Sequence, residues 1–548
     1  MVKKFASDLK TEFSGYNGAK LLKDAMAGLT VCAVALPLAL AFGVSSGASA
    51  AAGMVTAILA GIIIGLLSGA SFQISGPTGA MSAVLIAIVV EYGIQGMFVA
   101  SLISGIILLI AGIFKLGRLI SFIPSPVVMG FTSGIAVVIA LGQIDNFFGT
   151  TSEGVTAVEK LFSYTKLGFR PDWQSVLIGL LVIAIMIVWP KKWNAKVPSS
   201  LVSIIVATIV SVVFKMDGLV LVGEIPQTLF LSERLSFKDI DFSMIKGVLS
   251  PIITIAALGM IESLMCGASA SRMKNESFDA DRELVAQGIG NIVIPFFGGV
   301  PATAAIARSS VAIKSGQQTR LTGVFHSLFL LAAMFLLGPV MAKLPLCALA
   351  GVLMMTAWRM NEWDEIKYVF KHKFKAAISQ FLVTLVATVV FDLMVAIIIG
   401  VVYSAILFVV ASSKITVNFS GFDRDKYRGD CTGDFEETAI AYVTGPVFFG
   451  AVDKFNEQFE SMPACETLII SMKGVTTIDV SGVKAVMELC ENLHQLGINI
   501  KFCGLKENVR KYFERAGIIE MVGTDNFYWS VDRALEAVIE AKDGADVE

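Results

Sequence analysis

From about Ala27 to about Ser412 the chain alternates long apolar runs with short polar connectors. About fourteen of these runs approach the length that crosses a ~30 Å hydrocarbon core at 1.5 Å per residue. The pattern predicts a polytopic α-helical membrane protein. Beyond Ser412 the pattern changes: "KITVNFSGFDRDKYRGDCTGDFEETAI" is polar and charged, and no later stretch could span. Short apolar runs then read as strands, while "VSGVKAVMELCENLHQLG" and "LKENVRKYFERAG" read as amphipathic helices, which predicts a small α/β domain. The expected organisation is an N-terminal segment 1–24, a transmembrane domain 25–412, a linker 413–435 and a soluble domain 436–548.

Two places break the apolar pattern. "QISGPTGAMS", Gln73 to Ser82, and "FFGGVPATAAIARSS", Phe296 to Ser310, each set glycine and proline ahead of small residues. Proline is expected at the first helical position, where its missing N–H is no loss. The third and tenth spans are thus predicted to be half-length helices preceded by extended backbone. Such backbone is tolerated at membrane depth only where protein or a watery cavity satisfies it. Paired interruptions in two halves of a chain mark a transporter substrate site. With about seven spans per half the copies have opposite orientation, so two helix N-termini, each with free N–H groups and a positive dipole end, face each other near the midplane and form an anion cradle.

Composition agrees: 55% hydrophobic residues, 16% charged and a mean hydropathy of +0.75 exclude a thin-core soluble enzyme. The net charge of −2 says little, but the distribution of cations does. Lys3, Lys4 and Lys10, then Lys115 and Arg118, Lys191 and Lys192, Arg272 and Lys274, Arg320, and Lys371 and Lys373 fall mostly where an even number of spans returns the chain to one side. The positive-inside rule puts that side, with the N-terminus and the soluble domain, in the cytoplasm of a cell-membrane protein. The first apolar run leads straight into further spans, so it is read as a span and not a cleavable signal. The seven cysteines are scattered without CxxC pairing and are read as reduced thiols. No metal, cofactor or nucleic-acid partner is expected, and the lack of a P-loop argues against direct ATP drive.

An ionisable side chain within a span costs about 2.5–3.5 kcal/mol to insert and is a functional candidate by default. Glu262, in "AALGMIESLMCGASA", is a carboxyl that protonation can neutralise, and it is the proton-coupling candidate. Arg308, one turn after Ala304, places a positive charge where it would draw an anion. Glu91 and Asp392 read as interfacial, and His326 as a packing residue.

These features, in this order, resemble the SulP family of anion permeases, the sulfate permease family. The matching text is "DAMAGLTVCAVALPLALAFGVSSG", "ISGPTGAM", "LGRLISFIPSPVVMGFTSGIA" and "RELVAQGIGNIVIPFFGGVPATAAIARS", and the C-terminal segment looks like a STAS domain. The resemblance implies seven plus seven inverted spans, a mobile core carrying the third, eighth and tenth, a gate that supports a homodimer, and elevator-like alternating access. It places a small anion between Thr78, Gly79 and Ala80 on one side and Ala304, Ala305 and Ile306 on the other, with Phe72 and Gln73 just before the first cradle and Gln73 within reach. In the bicarbonate-transporting branch, sodium is bound by an acidic residue and a hydroxyl one turn later in the eighth span, with a threonine of the tenth. Here those positions read Glu262, Cys266 and Ile306, and Thr303 does not match. A thiol and an isopropyl-like group suit a hard cation poorly, which favours protons over sodium. The STAS domain resembles anti-sigma-factor antagonists, which implies phosphorylation at Ser481, favoured by a helix N-terminus, although serine is also an ordinary N-cap.

The expected function is secondary active transport of an inorganic oxyanion such as sulfate or bicarbonate by proton symport, with the STAS domain serving assembly or a cytosolic partner. C4-dicarboxylate symport, sodium/bicarbonate symport, uncoupled exchange or channel conduction, nucleobase transport on the same architecture, and a non-transporting scaffold stay open.

Overall fold

The computed structural model describes residues 2–118, 123–154, 157–190, 193, 197–236, 247–391, 393–421 and 437–545. Lys191, Lys192, Asp392 and most of the expected linker lie outside the described residues. The chain divides into two compact units, Met1–Val402 and Tyr403–Glu548.

The first unit is helical, and its helices follow the apolar runs. They are α1 (Gly18–Ser45), α2 (Ala50–Leu67), the stretch Gly79–Ile113, α5 (Ser125–Gly142), α6 (Trp173–Val188) and α7 (Ser199–Val213). Next come α8 (Leu249–Lys274), α9 (Ala280–Val293), α10 (Ile306–Lys314), α11 (Leu321–Met341), α12 (Leu346–Met360) and α13 (Lys375–Val390). α14 (Leu393–Ser412) leads from the first unit into the second. Gly93 breaks the stretch Gly79–Ile113 into α3 and α4, because its backbone (φ 70°, ψ 177°) is one that side-chain-bearing residues rarely adopt. Seven helical stretches among the described residues are long and apolar enough to cross a membrane, and α6, α7, α12 and α13 are shorter apolar helices.

The two predicted interruptions exist and they meet. β1 (Ser75–Gly76) pairs antiparallel with β2 (Thr303–Ala304), with Ser75 opposite Ala304 and Gly76 opposite Thr303. Both strands are fully buried, so pairing supplies the backbone partners that extended chain needs at this depth. The helices begin later than the prolines suggest. Pro77 is not at the first helical position of α3: Thr78 is the N-cap, its hydroxyl accepting from Met81 N, and Gly79 opens the helix. Pro301 lies four residues before the α10 cap, Ala305, which has no side-chain cap bond.

In the second unit β3 (Thr416–Gly421), β4 (Thr438–Thr444), β5 (Thr467–Gly474), β6 (Asn499–Cys503) and β7 (Phe527–Tyr528) form one sheet in that order. β3 is antiparallel to β4, and the later pairs are parallel. Parallel strands need crossover helices, supplied by α15 (Val452–Glu460), α16 (Val480–Gln495) and α17 (Glu507–Arg515), with α18 (Val531–Ala545) following β7. Phe455, Leu468, Ile470, Val486, Phe502 and Phe513 fill one core.

Candidate functional site

The β1–β2 crossing places the starts of α3 and α10 side by side, and α8 and α9 hold the crossing by side chains. Ser263 Oγ on α8 accepts from Ala304 N at 3.2 Å, and Gln73 Nε2 donates to Ser263 O at 2.8 Å. On α9, Gln287 Nε2 donates to Ser75 Oγ at 3.0 Å. Asn291 brackets Ala302, donating to its carbonyl at 2.9 Å and accepting from its N–H at 2.7 Å. Thr56 of α2 donates to Val300 O at 2.9 Å. Each bond replaces water that a buried extended segment lacks.

At the crossing sits Glu262. Its Oε2 accepts from Thr78 Oγ1 at 2.8 Å and from Thr303 Oγ1 at 2.6 Å, and the two hydroxyls are 3.2 Å apart. One carboxylate oxygen therefore binds the N-cap of α3 and the strand that leads to α10. Thr303, set aside from the sequence, is a direct partner of Glu262, because β pairing brings the residue two before the α10 cap onto α8.

The other expected site residues fall in distinct places. In the first helical turns Gly79 and Ala80 on α3, and Ile306 on α10, have N–H groups without intrahelical partners. Ala304 and Ala305 are different, since their N–H groups donate to Ser263 Oγ and to Ile74 O. Gln73 is buried beneath the crossing, where its amide holds α8. Ile306 is more than a third exposed. Cys266 lies one turn beyond Glu262 and faces Ser309 Oγ at 3.5 Å. Arg308 is buried, its Nη2 donates to Pro77 O, and its guanidinium packs on Gly76. That places the charge at the crossing and ties α10 to the break before α3.

A cavity of about 520 Å³ opens beside this cluster, bordered by Gly79, Ser82 and Ala83 of α3, Ile139 and Gly142 of α5, Thr254 of α8, Leu353 of α12 and Thr388 of α13. Of the expected site residues only Gly79 borders it. Glu91 and Asp145 line the same cavity. His326 is a buried residue of α11.

Besides Thr303, which the sequence reading set aside, the partners missed from the sequence are Ser263, Gln287 and Asn291. Gln287 and Asn291 carried a signal, being amides four residues apart on one face of the helix, in its apolar second half. In the second unit Ser481 is exposed in the first turn of α16, and the cap is Asp479, whose carboxylate accepts from Gly482 N at 2.8 Å. The N-cap alternative for Ser481 is thereby removed.

Comparison with known proteins identifies the family and the fold. Residues 21–387 match the sulfate permease family and residues 434–534 the STAS domain. YvdB of Bacillus subtilis (strain 168), a protein whose name associates it with sulfate transport, is 31% identical over 94% of this chain and 97% of its own. The bicarbonate transporter BicA of Picosynechococcus sp. (strain ATCC 27264 / PCC 7002 / PR-6) is 26% identical over 94% of each chain. Among solved structures, the transmembrane domain of a cyanobacterial BicA is 26% identical with a TM-score of 0.63, covering 71% of this chain and 98% of its own. The murine Slc26a9 anion transporter shares the fold at a TM-score of 0.82 and 17% identity, over 95% of this chain and 91% of its own. These relatives are transporters, not enzymes. The chain belongs to the sulfate permease family of membrane anion transporters and carries a C-terminal STAS domain.

Proposed function

We propose that the protein is a secondary active transporter that carries a small inorganic oxyanion, sulfate or bicarbonate, together with a proton. One observation carries the reading: Glu262 is hydrogen-bonded at once to the α3 cap and to the strand before α10. The anion binds between the free N–H groups of Gly79 and Ala80 and those at the start of α10, beside Arg308. Protonating Glu262 removes the acceptor charge that both threonine hydroxyls address, so proton occupancy and cradle geometry are linked. The core carrying α3, α8 and α10 moves as a unit against the remaining spans, in an elevator-like cycle within a homodimer. The basic face, with the N-terminus and STAS domain, is cytoplasmic, and the STAS domain serves assembly or a cytosolic partner.

A second reading has its own support. Glu262, Thr78 and Thr303 bring three oxygens together, the donor type a hard cation takes, and the site thus offers the hydroxyls that Cys266 and Ile306 do not. Sodium/bicarbonate symport uses that set.

Uptake of labelled sulfate into proteoliposomes under an inward proton gradient, with unlabelled bicarbonate, fumarate or uracil as competitors, tests the first reading. Accumulation above equilibrium that collapses with a protonophore and in Glu262→Gln supports it. Bicarbonate uptake driven by sodium and indifferent to the protonophore replaces it with the second.

A further inference from the structure

The N-terminal helix Val2–Glu12 carries Lys4, Asp8 and Glu12 at i, i+4 and i+8, on one face. Lys4 Nζ lies 2.7 Å from Asp279 Oδ2, and Asp8 Oδ2 accepts from Arg282 Nη1 at 3.2 Å. Glu12 grips Arg320: Oε2 accepts from Nε at 2.9 Å and Nη2 at 2.8 Å, and Oε1 from the backbone N–H at 2.7 Å. The Phe5 ring lies 3.9 Å from the Arg282 guanidinium and 5.4 Å from that of Arg320. Both arginines are about 95% buried, and a buried cation stripped of its carboxylate is strongly unfavourable.

Both arginines also address one carbonyl. Ser68 O accepts from Arg282 Nη2 at 2.6 Å and Nε at 3.1 Å, and from Arg320 Nη1 at 3.3 Å. Ser68 is where the chain leaves α2 and starts the extended approach that bears Gln73, Ser75 and Thr78. Its hydroxyl donates to Glu283 Oε2 at 2.6 Å, beside Gly69 N at 3.1 Å. Glu283 Oε1 accepts from Gln287 Nε2 at 2.8 Å, and that nitrogen also reaches Ser75 Oγ in β1. Contacts therefore run without a gap from Glu12 through Arg320, Ser68, Glu283 and Gln287 to the β1–β2 crossing.

We propose that the N-terminal helix is a positioning element of the anion site. Asp8 and Glu12 neutralise the two arginines that pin Ser68, and this sets the approach to α3 against β2. The proposal rests on reading the crossing as the anion site.

The test uses the full chain in lipid nanodiscs and proteoliposomes, with Glu12→Gln, Asp8→Asn and the charge-keeping Glu12→Asp. Hydrogen exchange of backbone amides 68–76 should quicken about tenfold in Glu12→Gln and recover in Glu12→Asp. The KM for sulfate or bicarbonate should rise severalfold while kcat stays within about twofold. Unchanged exchange at 68–76, or a uniform rise across the membrane unit, would overturn the proposal, as would faster local exchange with KM unmoved. A wild-type protein that carries no anion, with local exchange still governed by Glu12, would sink the site reading while upholding the link from the helix to the crossing.

Discussion

Thr303 and Glu262 are bound at 2.6 Å, the hydroxyl of one re-entrant strand donating to a carboxylate from the middle of α8. A hydrogen bond to a charged group contributes about 1.5–3 kcal/mol, which at room temperature is about ten- to a hundredfold in an equilibrium. Thr303→Val keeps the shape and removes the donor. It should lower kcat/KM for the anion about tenfold, and Glu262→Gln should abolish gradient-driven accumulation. Paired in a double-mutant cycle, the two should fall short of additivity by about 1 kcal/mol. Full additivity would mean that the two residues act separately.

Gly76 makes room for Arg308. A methyl group there would press on the guanidinium, whose Cζ would lie 3.1 Å away, with Ala57 Cα 3.5 Å off. The guanidinium is bound to Pro77 O and cannot swing clear without losing that bond. Gly76→Ala should therefore destabilise by about 1–3 kcal/mol, the range for overpacked interiors, and weaken anion affinity. Gly93→Ala has open space around it but a φ of 70°, so it should cost about 1 kcal/mol and leave affinity alone. Thermal unfolding and uptake KM of the two variants separate these outcomes.

Most helical spans were legible because they are apolar runs, seven of them among the described residues long enough to cross a membrane, and the two breaks because glycine and proline stand out within such runs. The sequence also pointed to Glu262 and Arg308, since charge at membrane depth is rare. Local pattern could not reveal that the breaks pair with each other: Ser75 and Ala304 are far apart in the chain, and two-residue strands have no periodicity to detect. Thr303 was set aside for that reason, as a residue that does not match the sodium-site pattern. A threonine is unremarkable in an apolar run, and only the crossing gives it a carboxylate partner. The prolines misled in a different way: after Pro77 the cap falls to Thr78, whose side chain accepts from Met81 N, and after Pro301 the β2 strand occupies the residues before the α10 cap.

In the second unit, Asp479 and Ser481 divide two roles that a sequence reading merges. Asp479 caps α16 through Gly482 N and also accepts from Phe449 N at 3.1 Å, so it secures both the helix and the loop between β4 and α15. Asp479→Ala should cost about 1 kcal/mol or somewhat more, seen as faster amide exchange in the first turns of α16. Ser481→Ala should leave that exchange unchanged, because its side chain is exposed. If Ser481→Ala loosened the helix as much as Asp479→Ala, the serine would be a structural residue and its reading as a phosphate acceptor would lose its basis.

The thiols of the second unit give a pH test with a definite sign. Burial pushes the Cys490 thiol up to about 12, with Glu491 adding to it, and burial lifts Cys503 to about 11 against an opposing hydrogen bond from Ser471. An unfolded thiol ionises near about 8.5, so above that pH the unfolded chain gives up protons that the folded domain retains. The stabilisation is whole below about pH 8.5 and is lost as pH climbs through the folded values. The urea midpoint of this unit should accordingly hold steady from about pH 7 to 8.5 and fall by about pH 10.5. Cys490→Ala should flatten the fall. Near neutral pH an alkylating reagent should reach half-buried Cys465 well before Cys490 or Cys503, since the thiolate is the nucleophile and burial denies the latter two both charge and access. Rapid alkylation of Cys490 in the folded protein would mean that α16 opens locally, and the alkaline loss of stability would then need another cause.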